Sequence, residues 1–103
     1  MIRSVSLISF REGTDQGQRE AVLAAYRKLP SLIPGIVSFE VGLDQGLLQG
    51  NAGIAVIAGF AAREDFVAYS THQAHTDVIF PVCGPVMAGW SSANKFSLIG
   101  ALR

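Results

Sequence analysis

This 103-residue chain has one cysteine, one tryptophan and two histidines, which leaves few side chains for chemistry. The lone Cys83 excludes an internal disulfide and a multi-cysteine metal cage. Charge is equally scarce. Eight Lys and Arg balance eight Asp and Glu, and no basic run occurs, so nucleic-acid and anionic-membrane binding lack an electrostatic footprint. Glycines and polar residues interrupt each apolar run before it reaches membrane-spanning length. The opening Met1-Ile2-Arg3-Ser4-Val5-Ser6 lacks the charged region, long apolar core and cleavage site of a secretory signal. The expectation is a soluble, cytoplasmic protein.

What the chain holds in excess is apolar surface, half of its residues. A length of 103 residues suits one domain, residues 1–103, and a chain this short buries a modest fraction of its area. An apolar excess of this kind points to a subunit interface.

Ile2 to Phe10 reads as a strand, with Ser4, Ser6, Ile8 and Phe10 on one face and Val5, Leu7 and Ser9 on the other. From Asp15 to Leu29 the period becomes helical, with Val22, Tyr26 and Leu29 in one stripe; Thr14 or Asp15 caps the start and Pro30 stops it. Ile36 to Leu43 alternates as a second strand after the Pro34-Gly35 breaker. Asp44 to Gly53 reads as an exposed loop whose glycines fit no phosphate-binding motif. Ala52 to Ala61 is a nearly all-apolar third strand, and a second helix starts at Arg63. Thr76 to Ala88 reads as helix broken or kinked by Pro81 and Pro85, and Asn94 to Gly100 as the fourth strand.

The order βαββαβ is the ferredoxin-like α+β arrangement, with helices on one face of an antiparallel sheet. Ile8, Phe10, Val56 and Phe60 are read as lining the opposite, uncovered face. A second copy would cover it, giving a homodimer whose sheets form a shared barrel.

Both histidines lie in Tyr69-Ser70-Thr71-His72-Gln73-Ala74-His75. Imidazole titrates near neutral pH, and a phenol donates or accepts a hydrogen bond, so these three side chains are the first candidates for proton chemistry. The structural counterparts are a capping role for His75, a backbone contact at the helix break for His72 and core packing for Tyr69. His72-x-x-His75 could share a metal, but no third ligand is fixed by the sequence, and no metal is assigned. Cys83 sits among apolar residues with no adjacent cation and reads as a buried, inert thiol. Trp90 could line a pocket or stabilise the dimer, with core packing the default.

Four features together resemble the stress-responsive A/B barrel (Dabb) family: the opening Met1-Ile2-Arg3, the Leu29-Pro30…Ile33-Pro34-Gly35-Ile36 connection, Glu40-Val41-Gly42, and Tyr69-x-x-His72-x-Ala74-His75. The resemblance implies a dimeric α+β barrel. A plant polyketide cyclase of that family performs a cofactor-independent intramolecular aldol condensation, and its tyrosine–histidine pair falls on Tyr69 and His75. The resemblance therefore implies Tyr69 as proton donor and His75 as general base, with no cofactor. The family usually has a histidine where Ser4 stands, the cyclase has another where Ile54 stands, and Gln73 replaces the usual proline. Ser4, Ser6, Ile54 and His72 are the expected substrate-binding residues. The expected function is cyclase- or lyase-type acid–base chemistry on a partly hydrophobic carbonyl or phenolic compound. The alternatives are a non-catalytic, stress-associated ligand-binding protein and a cofactor-free monooxygenase or haem-binding relative.

Overall fold

In the computed structural model, which describes residues 1–96, strand β1 (Ile2–Phe10) occupies the middle of an antiparallel sheet. Its β-branched and aromatic residues favour extended backbone. The turn after it uses Gly13 at φ 87°. Helix α1 (Gln16–Arg27) starts at a reciprocal cap: the Gln18 N–H donates to Asp15 Oδ1 at 2.7 Å, and the Asp15 N–H donates to Gln18 Oε1 at 2.9 Å. Val22 and Tyr26 of the expected stripe are buried, and so is Leu29 beyond the helix end.

Pro30 does not end the helical path. It occupies the first turn of a second short helix, α2 (Leu29–Leu32), where a missing N–H costs nothing because that donor has no helical partner. Gly35, at φ 94°, turns the chain into β2 (Ile36–Leu43). After the 44–53 loop comes β3 (Ile54–Phe60), then α3 (Arg63–Ser70). A π-helical turn (His75–Ile79), helix α4 (Phe80–Cys83) and a 3₁₀ turn (Gly84–Val86) lead into β4 (Met87–Phe96).

The sheet order is β2-β3-β1-β4, the ferredoxin-like α+β fold. The fourth strand begins earlier than the sequence indicates, at Met87. The run Gly89 to Asn94 has no β-branched residue and only Trp90 favours a strand, so propensity is weak there, and pairing along β1 imposes the strand. The remainder of the expected strand, residues 97–100, lies outside the described residues. Two bonds from Arg11 fix the entry: its N–H donates to the Val86 carbonyl at 2.7 Å and its Nε to the Met87 carbonyl at 3.2 Å.

Register places Ser4 opposite Ala58 and Asn94, Ser6 opposite Val56 and Ser92, and Ile8 opposite Ile54 and Trp90. All of these share one face of the pleat. Ile8, Val56 and Phe60 are 0–3% exposed within the core that joins this face to Val22, Leu29 and Tyr69. They therefore face the helices, and Phe10 packs against the same core, which corrects the reading that put these four on the open face. The open face carries Val5, Leu7, Ala55, Ile57 and Ala93 instead, as alternation from the core-facing residues requires. Leu7 is 43% exposed there. Among the described residues, no helix is long and apolar enough to cross a membrane.

Candidate active site

A cavity of about 550 Å³ opens between the β1–β4 half of the sheet and the helical layer. That volume lies in the range of small-molecule pockets. Ser4, Ser6, Tyr69 and His75 all line it. So do three residues that the sequence reading put by default in the core: Tyr26, Cys83 and Trp90.

Tyr69 is placed by an aromatic cluster. Its ring centroid lies 5.0 Å from that of Phe60 and 6.2 Å from that of Phe66, and it meets the His75 imidazole at 4.7 Å, nearly perpendicular. Phe60 is completely buried, so the cluster rests on a rigid strand. The Tyr69 side chain is 8% exposed, and burial pushes its phenol up to about 12. The hydroxyl thus stays protonated at neutral pH and able to donate.

The loop between α3 and the π-helical turn is folded by its own polar side chains. The Ser70 and Thr71 hydroxyls donate to the Val67 carbonyl at 2.8 and 3.1 Å, closing α3. The Ala74 N–H donates to His72 Nδ1 at 3.0 Å, and the His75 N–H donates to the His72 carbonyl at 3.1 Å. His72 is a loop-forming residue here and does not line the cavity, so it is withdrawn from the expected substrate contacts. Its bonds aim His75.

Pro81 has no N–H with which to continue an α-helix from Asp77, and the chain widens to a π turn instead, in which the Phe80 N–H donates to the His75 carbonyl. His75 stands at the first position of that turn. Its Nδ1 is buried with no hydrogen-bond partner among the described residues, so the ring meets the cavity through its other edge. Burial holds its pKa below the ordinary 6.5; the His72 carbonyl pulls the other way, and the neighbouring His72 imidazole adds to the lowering. A neutral imidazole at physiological pH is a competent proton acceptor.

Ile54 is 1% exposed in the core and does not line this cavity, which corrects its expected role in the pocket. It pairs with Ile8 and Leu43, toward the opposite end of β1 from Ser4, and a core isoleucine has no polar atom to offer. Trp90 is not core either, at 62% exposure. As a member of edge strand β4 it stands on the helix-facing side, where no helix covers it among the described residues. Cys83 is buried, and burial pushes its thiol up from the ordinary 9.0, so it carries little thiolate. Tyr26 is raised chiefly by burial, with lesser contributions from Cys83 and Tyr69, which places these three groups around one space. A tyrosine in a buried helical stripe was the available signal, because its hydroxyl needs a partner that leucine would not. Among the described residues, no group of three or more His, Cys, Asp or Glu side chains is placed to hold a metal ion.

A ferredoxin-like sheet with a ligand-sized, phenol- and imidazole-lined cavity under its helices defines a class of small α+β proteins. The stress responsive A/B barrel domain (Dabb) profile matches residues 2–95, and the chain belongs to that family. A protein from Thermobifida fusca, described as dimeric, ferredoxin-like and of unknown function, is 31% identical, with a TM-score of 0.80 over 94% of this chain and 90% of its own. A hydroxynitrile lyase from Passiflora edulis superposes with a TM-score of 0.77 at 16% identity, covering 94% of this chain and 93% of that one. An antibiotic biosynthesis monooxygenase gives 0.71 at 12% identity, covering 95% and 99%. At such identities the last two establish the fold alone. No curated protein matches in sequence.

Proposed function

We propose that this chain is a homodimeric, cofactor-independent acid–base enzyme of cyclase or lyase type, acting on a partly hydrophobic carbonyl or phenolic compound in the cavity. The single observation that carries the reading is the contact between Tyr69 and His75, two mutually packed groups of opposite proton character on one cavity wall. His75 is the base. With its proton on the buried Nδ1, Nε2 has a free lone pair for the substrate. It removes a proton from carbon flanked by two carbonyls, and the C–H electron pair passes into an enolate. The enolate carbon attacks the acceptor carbonyl carbon, forming the C–C bond as the C=O π pair moves onto oxygen. The Tyr69 hydroxyl hydrogen-bonds that oxygen as negative charge builds there, and the oxygen finally takes the proton that His75 removed.

The dimer is proposed from the open sheet face and from relatives described as dimeric. Val5, Leu7 and Ile57 would be covered by the same face of a second copy, an arrangement that closes with two-fold symmetry.

The test is deuterium exchange at the central carbon of acetylacetone, monitored by NMR. Wild-type protein accelerates it, and His75→Ala loses roughly a hundredfold or more of the acceleration. An acceleration that survives His75→Ala intact removes the mechanism. One observation favours a second reading, a ligand-binding protein without catalysis: no carboxylate or other side chain orients His75, since its Nδ1 has no partner among the described residues. On that reading acetylacetone binds and no acceleration is seen.

A further inference from the structure

We infer that the ligand enters the cavity oxygen-end first, and that Trp90 and Phe80 at the mouth hold its apolar end and select for it. This rests on the cavity being the ligand site proposed above, and it adds the ligand's orientation and the residues that set specificity.

The inner wall and the rim of the cavity differ in chemistry. Ser4, Tyr26 and Tyr69 are 6%, 9% and 8% exposed, and each presents a hydroxyl to the cavity. None of the three hydroxyls makes a hydrogen bond within the described residues. At the rim, Phe80 and Trp90 are 61% and 62% exposed although both line the same cavity. Aromatic rings at that exposure on a concave surface are ready to be covered by something apolar.

The rim is not uniformly apolar. Trp90, Ser92 and Asn94 form one row along β4, opposite Ile8, Ser6 and Ser4 of β1. The asymmetry between buried and exposed polar groups decides the orientation. Ser92 and Asn94 are exposed and keep their water whatever binds. The Ser4, Tyr26 and Tyr69 hydroxyls are still open to the cavity, and an apolar end pushed to the inner wall would cut them off from water with no partner, an arrangement proteins rarely tolerate. An oxygenated end satisfies them, and leaves the apolar remainder to lie against Trp90 and Phe80. The matching ligand class is a compound with two or more clustered carbonyl or hydroxyl oxygens at one end and an aryl or alkyl group at the other.

Benzoylacetone and acetylacetone carry the same pair of oxygens and differ by a phenyl in place of a methyl. Calorimetric titration of the full chain is expected to give a benzoylacetone Kd about tenfold below that of acetylacetone. Trp90→Ala and Phe80→Ala, both at exposed positions, are each expected to bring that ratio to within about twofold, with the larger loss falling on benzoylacetone. Tyr69→Phe is expected to weaken both ligands by the same factor. Equal affinities in the wild type, no binding of either compound, or a ratio unchanged in both rim variants would overturn the inference. So would a Trp90 emission spectrum that changes on dilution through the dimer range and not on adding benzoylacetone, which would assign the ring to the subunit interface. These readouts involve no turnover. Loss of the affinity ratio with proton exchange retained sinks the orientation alone, and the ratio retained without exchange sinks the acid–base chemistry alone.

Discussion

His75 combines burial, an unpartnered Nδ1 and a tyrosine ring against its edge, and these have one thermodynamic consequence. Its pKa is lowered in the folded protein, so between that folded value and the ordinary 6.5 the unfolded chain binds more protons than the native one. Stability therefore rises with pH across that window, levels off above 6.5, and has lost this contribution once the pH falls below the folded value. His75→Gln is expected to flatten the slope, read as a smaller difference between melting temperatures at about pH 5 and about pH 7.5. At this scale the sequence was generous with the Tyr69–His75 pair, because titratable groups are so few that a cluster of three stands out. It was silent on Tyr26 and Cys83. Their place on the cavity wall depends on which way α1 and α4 turn toward the sheet, and helical periodicity marks them only as buried.

Among the elements, α1 ties the cavity to one local interaction, since the Asp15–Gln18 box starts the helix whose second half carries Tyr26. Asp15→Ala is expected to cost about 1 kcal/mol, measured by chemical denaturation, with the cavity chemistry unchanged. The helices and the first three strands were readable because period, caps and breakers agree along those stretches. Two boundaries were not. Pro30 is a stop signal inside a helix and a start signal in its first turn, and only the burial of Leu29 and Ile33 distinguishes the two uses. Strand β4 between Gly89 and Asn94 has Trp90 as its one residue with a preference for extended backbone, so the strand owes more to β1, the neighbour it pairs with, than to its own composition.

For the whole molecule, the two faces of the sheet divide the labour. The helix-facing side holds the core and the cavity, and the other side holds Val5, Leu7 and Ile57, which no helix covers among the described residues. Leu7→Asp is expected to leave the monomer folded, since Leu7 is already 43% exposed, and to shift a dimer to monomer in light scattering coupled to size exclusion. A variant that remains dimeric at the same concentration would place the interface elsewhere. Period-two alternation told which residues of β1 share a face, and could not tell which face the helices take. That choice depends on the handedness of the crossovers, and one wrong choice exchanges the buried and the open sets entirely.

The π-helical turn has a consequence for how this site tolerates change. A π turn holds one residue more than the α turn it replaces and absorbs it locally, whereas the same residue added to a regular α-helix rotates its two flanking segments by roughly 100° against each other. His75 lies before that extra residue, and the wall formed by Ile79, Phe80 and Cys83 lies within or after it. The facing of the imidazole is thus encoded by the number of residues between Ala74 and Pro81 as much as by their kinds. Substitutions at the exposed positions Thr76 and Asp77 leave that count alone, whereas insertion of one more residue beside them, taken up as regular helix, would retain the Tyr69–His75 pair and still turn His75 away from the rest of the wall.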